Sequence, residues 1–202
     1  MRTLPALAAA ALVALVGAAQ AMLKPGDPAP AFSTQAALAG KPFAFDLKAA
    51  LARGPVVLYF FPKAFTSGCT VEAHAFAEKT PEFAALGATV VGVSNDDIDT
   101  QLRFSSEACR DKFAVASDPR AEVISAYDAR FGGLFKTASR ISYVIDRSGR
   151  IVYAHEGSDP LVHVAETFKA VQALKAGAPA AAARGPARRA YTVSNPRKPR
   201  AA

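Results

Sequence analysis

The chain has 202 residues, which allows one ordinary domain, or two only if both are small. Apolar residues make up 51% of it, yet 46 residues are alanine, so the core must rest on 13 Phe and the scattered Val, Ile and Leu. With charged residues at only 20%, a disordered chain is excluded. Two cysteines are too few for a disulfide-stapled mini-fold or a four-thiolate zinc site. The formal charge of +7 is carried by the end of the chain: from Lys175 onward there are seven Lys/Arg and no acid. Residues 22–174 hold 16 bases against 17 acids, so the basic balance describes a tail and not a nucleic-acid-binding surface.

Residues 1–21 place Arg2 before an apolar run from Leu4 to Val16, followed by Gly17 and the small-x-small triplet Ala19-Gln20-Ala21. That is the build of a cleavable secretory signal, with cleavage expected after Ala21. The run is short for a ~30 Å hydrocarbon core and rich in weakly hydrophobic alanine, which argues against a retained anchor. Export would place the protein in an oxidising compartment, the periplasm in a bacterium, where thiol pairs tend to close.

From Met22 the chain alternates short apolar runs with helical patterns, the sign of an α/β layer fold. Phe32–Gln35 and Pro42–Asp46 read as a hairpin around Ala39-Gly40-Lys41. Pro55–Phe61 is continuously apolar, as expected of a central strand covered on both faces. Cys69, Ala73, Phe76 and Ala77 then fall on one stripe of a helix. Thr89–Ser94 and Phe113–Ser117 read as further strands, separated by a helix that Asp97 or Asp99 can cap and that should run to about Lys112. Ser142–Ile145 and Ile151–His155 flank a turn at Asp146–Gly149, and Leu161–Leu174 is a closing amphipathic helix. No internal repeat is present. Residues 175–202, rich in Ala, Pro, Gly and Arg, show no periodicity and read as a disordered tail.

Most of the chemistry lies between Val56 and Glu72. The strand ends at Pro62, a loop follows, and Cys69 falls at the start of a helix. A thiol there feels the positive end of the helix dipole and unpaired N–H groups, both of which favour the thiolate. Thr66 stands three residues before Cys69, where a Cys-x-x-Cys oxidoreductase would carry its first thiol. A hydroxyl cannot form that disulfide, but it can donate to or accept from an oxygen substrate on the sulfur. The loop therefore suits a thiolate meeting an oxygen-rich substrate, and exchange through a CxxC pair is excluded.

The spacing Pro62-x-x-x-Thr66-x-x-Cys69 resembles the peroxiredoxin active-site signature, and Thr66-Ser67-Gly68-Cys69-Thr70-x-Glu72-Ala73 is similar to its bacterioferritin-comigratory (Q-type) subgroup, within the AhpC/TSA-like thioredoxin-fold family. The resemblance runs over roughly residues 24–174. Val91–Ser94, Ser117-Asp118 and Ser139–Asp146 with Gly149 follow in the family's order. It implies a thioredoxin-like fold, a central mixed β-sheet flanked by helices, and reduction of hydrogen peroxide and alkyl hydroperoxides. By position, the resemblance makes Cys69 the peroxidatic nucleophile, which attacks a peroxide oxygen and becomes a sulfenic acid. Thr66 would hydrogen-bond the peroxide, and Pro62 would shield the thiolate. Arg140 would hold the thiolate and the developing charge on the leaving oxygen. N–H groups around Gly68 and Cys69 would complete the donor set, with Glu72 supporting the helix. Taken alone, Cys69 would pass for a small core residue, Thr66 for a helix-entry residue and Arg140 for a strand-end charge; it is the combination that points to a site.

Many members of the resembled subgroup carry a resolving cysteine five residues after the first, where this chain has His74. Cys109 is the remaining candidate, expected near the end of the Asp99–Lys112 helix, where other members of the subgroup place the resolving thiol. There the helix dipole opposes negative charge, partly offset by Arg110 and Lys112, which suits a partner that condenses with a sulfenic acid at Cys69. The alternative is an inert Cys109 and an external low-molecular-weight or thioredoxin-like thiol. His74 reads as a solvent-side helix residue. His155 and His163 lack a matching ligand set, so neither a metal nor another cofactor is expected.

Three functions are weighed on these residues. The first is an exported thiol peroxidase, monomer or dimer. The second is a peroxide sensor that passes its disulfide to another protein through the same residues. The third, a non-catalytic thioredoxin-fold binding protein such as a copper carrier, wants a Cys-x-x-x-Cys pair and fails on spacing, because residue 65 is Phe and residue 73 is Ala. The basic tail could touch an anionic envelope surface. Nucleic acid is not an expected partner.

Overall fold

The computed structural model describes residues 22–177; residues 1–21, read above as a secretory leader, and residues 178–202, read as part of a disordered tail, lie outside the described residues. In the described part, seven strands form one mixed sheet. β1 (Ser33–Leu38) and β2 (Lys41–Asp46) make the first hairpin, paired in register from Ser33 with Asp46 to Leu38 with Lys41. Its two-residue turn needs left-handed backbone at both positions, and Ala39 and Gly40 have φ of 52° and 70°. α1 (Leu47–Arg53), β3 (Val56–Phe60), α2 (Ser67–Ala85), β4 (Thr89–Ser94) and α3 (Ile98–Glu107) follow. The chain then runs through β5 (Ala114–Ser117), α4 (Glu122–Ala126), β6 (Ile141–Ile145), β7 (Ile151–Glu156) and α5 (Pro160–Lys175).

The strand order is β2-β1-β5-β4-β3-β6-β7. β3, β4 and β5 run parallel, and β6 joins β3 antiparallel. Every residue of β3 is buried, as its unbroken apolar sequence requires of a strand with both faces covered. Alternation along it divides the core. Val56, Leu58 and Phe60 point to the layer closed by α1 and α4, while Val57 and Tyr59 point to the layer closed by α2, α3 and α5. Cys69 and Cys109 both belong to the second layer.

Two short helices were not legible in the sequence. Asp46 ends β2 and also caps α1, accepting from the Ala49 N–H at 2.7 Å, so its strand role hides its capping role. α4 has five residues and no capping side chain of its own; instead Asp118, upstream, accepts from the N–H groups of Glu122 and Ile124.

The expected helix to Lys112 stops short. α3 ends at Glu107, and Cys109 sits in a turn, because Arg110 and Asp111 adopt φ of 51° and 59° and break the helical path. The Cys109 N–H folds back onto the Phe104 carbonyl at 3.0 Å and the Asp111 N–H onto the Ser105 carbonyl at 3.1 Å, which closes the helix end. Lys175, counted with the tail in the sequence, is the last residue of α5.

Candidate active site

The loop between β3 and α2 is pinned before it reaches Cys69. Phe61 extends the parallel pairing by donating to the Val93 carbonyl at 3.1 Å. The Ala64 N–H donates to Asp96 Oδ2 at 2.8 Å, and the Ser94 hydroxyl donates to the same oxygen at 2.7 Å. Gln101 of α3, wholly buried, donates to Ser94 Oγ at 2.8 Å. Phe65 takes a left-handed φ of 64°, which costs a bulky residue, and its ring is held edge-on against Phe104, with the Arg103 guanidinium 5.2 Å from its centroid. The loop is thus fastened to the strand end and to α3. None of Asp96, Gln101 or Phe65 was singled out from the sequence; the signal available was the Asn95-Asp96-Asp97 run directly after β4.

α2 begins as expected, with Thr66 at the N-cap and Cys69 in the first turn, 2% exposed. Thr66 does not cap the helix with its side chain. Its hydroxyl donates to the Lys63 carbonyl at 3.0 Å, which leaves its oxygen free to accept a hydrogen bond from a substrate. The first backbone N–H groups of α2 therefore stay available beside the sulfur. Pro62 is half-buried at the mouth of the loop.

Arg140 reaches this helix from the segment just before β6, on the opposite side of β3. Its Nη2 donates to Cys69 Sγ at 3.5 Å, and its Nη1 donates to Glu72 Oε2. One guanidinium thus spans a thiol and a carboxyl that lie one turn apart on the same helix face. Gly68 makes the approach possible, because a Cβ there would stand 3.2 Å from Nη2. Arg140 is 10% exposed in its side chain and Glu72 not at all. Burial pushes the Glu72 carboxyl up to about 8, against the opposing pull of Arg140. Its second oxygen, Oε1, is buried without a hydrogen-bond partner.

Cys109 is wholly buried, and burial, with Asp111 nearby, pushes its thiol well above the ordinary range. The Arg110 expected to offset this is paired with Glu78 at 3.1 Å. Tyr59 has a buried hydroxyl with no hydrogen-bond partner, within electrostatic reach of Cys109, Glu72 and Cys69. Its ring stacks on Phe76 of α2, and a side chain at Gly92 would collide with it at 2.7 Å. Cys69, Thr66, Gly68, Glu72 and Arg140 are therefore brought together, whereas Cys109, buried in the same layer, makes no hydrogen bond to them. His74 is half-buried on α2. His155 and His163 lie side by side with ring centroids 4.6 Å apart, a pairing the sequence did not suggest.

Residues 25–154 match the model of the AhpC/TSA family. A Mycobacterium tuberculosis protein named as a peroxiredoxin, Rv2521, is 33% identical over 149 residues, covering 71% of this chain and 92% of that one. A chloroplastic peroxiredoxin Q of Triticum aestivum is 35% identical over 122 residues, 59% of this chain and 55% of its own. Among solved structures, Mycobacterium tuberculosis peroxidoxin BcpB superposes with a TM-score of 0.68 at 28% identity, over 75% of this chain and 98% of that one. Mycobacterium tuberculosis AhpC, at 21% identity and a TM-score of 0.69, shares the fold, over 78% of this chain and 96% of that one.

Proposed function

The chain belongs to the AhpC/TSA family and is a peroxiredoxin with the thioredoxin-like fold, and from that premise we propose that Cys69 is its peroxidatic nucleophile. The observation that carries the assignment is the Arg140 guanidinium on Cys69 Sγ at 3.5 Å, at the start of a helix. A guanidinium and the N-terminal end of a helix both face this sulfur, whose ionised form is the nucleophile. The thiolate attacks the terminal oxygen of a hydroperoxide as the O–O bond breaks. Sulfur becomes a sulfenic acid, and the departing oxygen takes a proton from solvent to leave as alcohol or water. Arg140 and the free N–H groups of α2 stabilise the charge on that leaving oxygen. Thr66 Oγ accepts a hydrogen bond from the peroxide O–H while its own hydrogen is donated to the Lys63 carbonyl.

Glu72 supports this arrangement. While its carboxyl holds a proton near neutral pH, the guanidinium charge is left for the sulfur and the substrate. Hydrogen peroxide and small alkyl hydroperoxides are the substrates this reading assigns.

Resolution falls to Cys109: its thiol condenses with the Cys69 sulfenic acid, forming the disulfide and releasing water. Both sulfurs lie in one core layer, and both are within electrostatic reach of the Tyr59 hydroxyl. The turn at Cys109 must open, which also lets the buried thiol reach water and ionise. A thioredoxin-like or low-molecular-weight thiol then returns both cysteines to the reduced state. Export to a periplasm, through the leader at 1–21, remains part of the proposal, as do the domain limits 22–174 and a basic tail that touches anionic surfaces. A peroxide-sensing relay would use the same sulfurs. Steady-state peroxide consumption with a thioredoxin-like reductant tests the reading: sustained turnover that Cys69→Ser abolishes supports the peroxidase, and a single stoichiometric oxidation supports the relay.

A further inference from the structure

Arg140 does not lie within a strand. It precedes β6, where the pairing with β7 is running out, and its backbone is held there by one bond: its carbonyl accepts from the Gly157 N–H at 3.3 Å. Gly157 is itself past the end of β7, in the turn to α5. Something must hold that turn if the guanidinium is to reach Cys69 reproducibly.

His163 does so. It lies in the first turn of α5 and is wholly buried. Its Nε2 meets the Gly157 carbonyl at 3.1 Å, and its Nδ1 meets the Ser142 hydroxyl at 2.8 Å. A carbonyl can only accept, so Nε2 carries the hydrogen and the Ser142 hydroxyl donates to Nδ1. Ser142 is two residues beyond Arg140 on β6. The ring thus closes a loop of hydrogen bonds: Arg140 carbonyl to Gly157, Gly157 to His163, His163 to Ser142, and back along the chain to Arg140. The turn is tight at Gly157, where a Cβ would stand 3.0 Å from His155 Nε2. Burial, His155 and the nearby Arg140 charge push His163 down to about 4, against Gly157 and Asp159, so the neutral tautomer this loop needs persists at neutral pH.

We infer that His163 is a positioning residue for peroxide reduction, clamping the Gly157 turn and Ser142 so that Arg140 presents its guanidinium to Cys69. The inference rests on the catalytic part given to Arg140 above. His163 touches neither sulfur nor substrate and acts only through Arg140.

The test is the second-order rate of oxidation by hydrogen peroxide, followed by stopped flow on reduced full-length protein. His163→Phe fills the ring's space without its two bonds and is expected to lower the rate by roughly 10- to 100-fold, the scale of a small misplacement of a catalytic group. His163→Gln keeps an N–H for Gly157 and is expected to recover the rate to within about threefold of the natural protein. The decisive comparison places His163→Phe in an Arg140→Ala background. There it should lower thermal stability but leave the peroxide rate unchanged within about twofold, because the group it positions is gone. If His163→Phe does not fold, Ser142→Ala, which removes the donor to Nδ1, enters the same comparison. A natural rate in His163→Phe, or in Ser142→Ala where it stands in, or an undiminished rate loss in the Arg140→Ala background, overturns the inference. A fast phase that survives Cys69→Ser instead overturns the assignment of the nucleophile, so the two failures are distinguishable.

Discussion

Arg140 donates to Cys69 Sγ from one nitrogen at 3.5 Å while its other terminal nitrogen holds the carboxyl of Glu72, so sulfur and carboxyl share one cation. Arg140→Lys keeps the charge but loses the planar fork, and a single ammonium cannot serve both partners from one position. The second-order rate with hydrogen peroxide is expected to fall by about 100-fold or more, as when one donor to a developing oxyanion is removed. Stopped-flow oxidation of the reduced protein reads this directly.

Gly68→Ala sets a Cβ 3.2 Å from the same guanidinium nitrogen. Alanine is a good residue inside a helix, so melting temperature should hardly change, while the peroxide rate should drop by roughly tenfold as the guanidinium gives way. Equal rates for the two proteins would show that the guanidinium does not need this space.

Glu72 gives the site an alkaline limb. Its carboxyl is raised from 4.5 to about 8, so between those values the unfolded chain has released a proton that the folded one retains. Stability contributed by this group is therefore lost as pH rises from about 4.5 to about 8. Above about 8 the ionised carboxylate claims more of Arg140, and the peroxide rate should decline. Glu72→Gln should remove both effects. Denaturant midpoints and oxidation rates across this pH range measure them.

His163 acts in the opposite direction. Its ring is lowered from 6.5 to about 4, so in that window the unfolded chain binds a proton that the folded one refuses. Stability should fall as pH drops from about 6.5 toward 4 and level off below. In His163→Phe this acid-side slope should be absent from the denaturant midpoints.

Cys109→Ser separates attack from resolution. The fast oxidation of Cys69 should be retained, but one equivalent of peroxide should then give a sulfenic or over-oxidised product in place of a disulfide lighter by two hydrogens. Intact mass after mixing decides between them, and disulfide formation within the variant chain would be impossible.

The strand–loop–helix around Cys69 was legible because each part writes its own signal. Pro55–Phe61 is apolar without a break, Pro62 stops the strand, and Thr66 stands at the cap. The meeting of Arg140 with Cys69 came from a family resemblance, since nothing local to residue 140 distinguishes it from a surface charge. What stayed hidden was tertiary. The end of α3 depends on left-handed backbone at Arg110 and Asp111, with no glycine there to announce it, and so Cys109 lies in a turn and not in the helix. Asp46 serves two elements at once and concealed α1. His163 looked like an isolated histidine, because its partners, Ser142 and Gly157, meet it only when α5 packs on β6 and β7.

The most direct measurement traps the first product. Reduced protein is mixed with one equivalent of hydrogen peroxide in the presence of a sulfenic-acid-selective dione, and the labelled residue is located by peptide mass. Label on Cys69, strongest in the Cys109→Ser variant, is the expected result. Label on Cys109 with Cys69 unmodified, or no oxidation of either sulfur, would contradict the assignment.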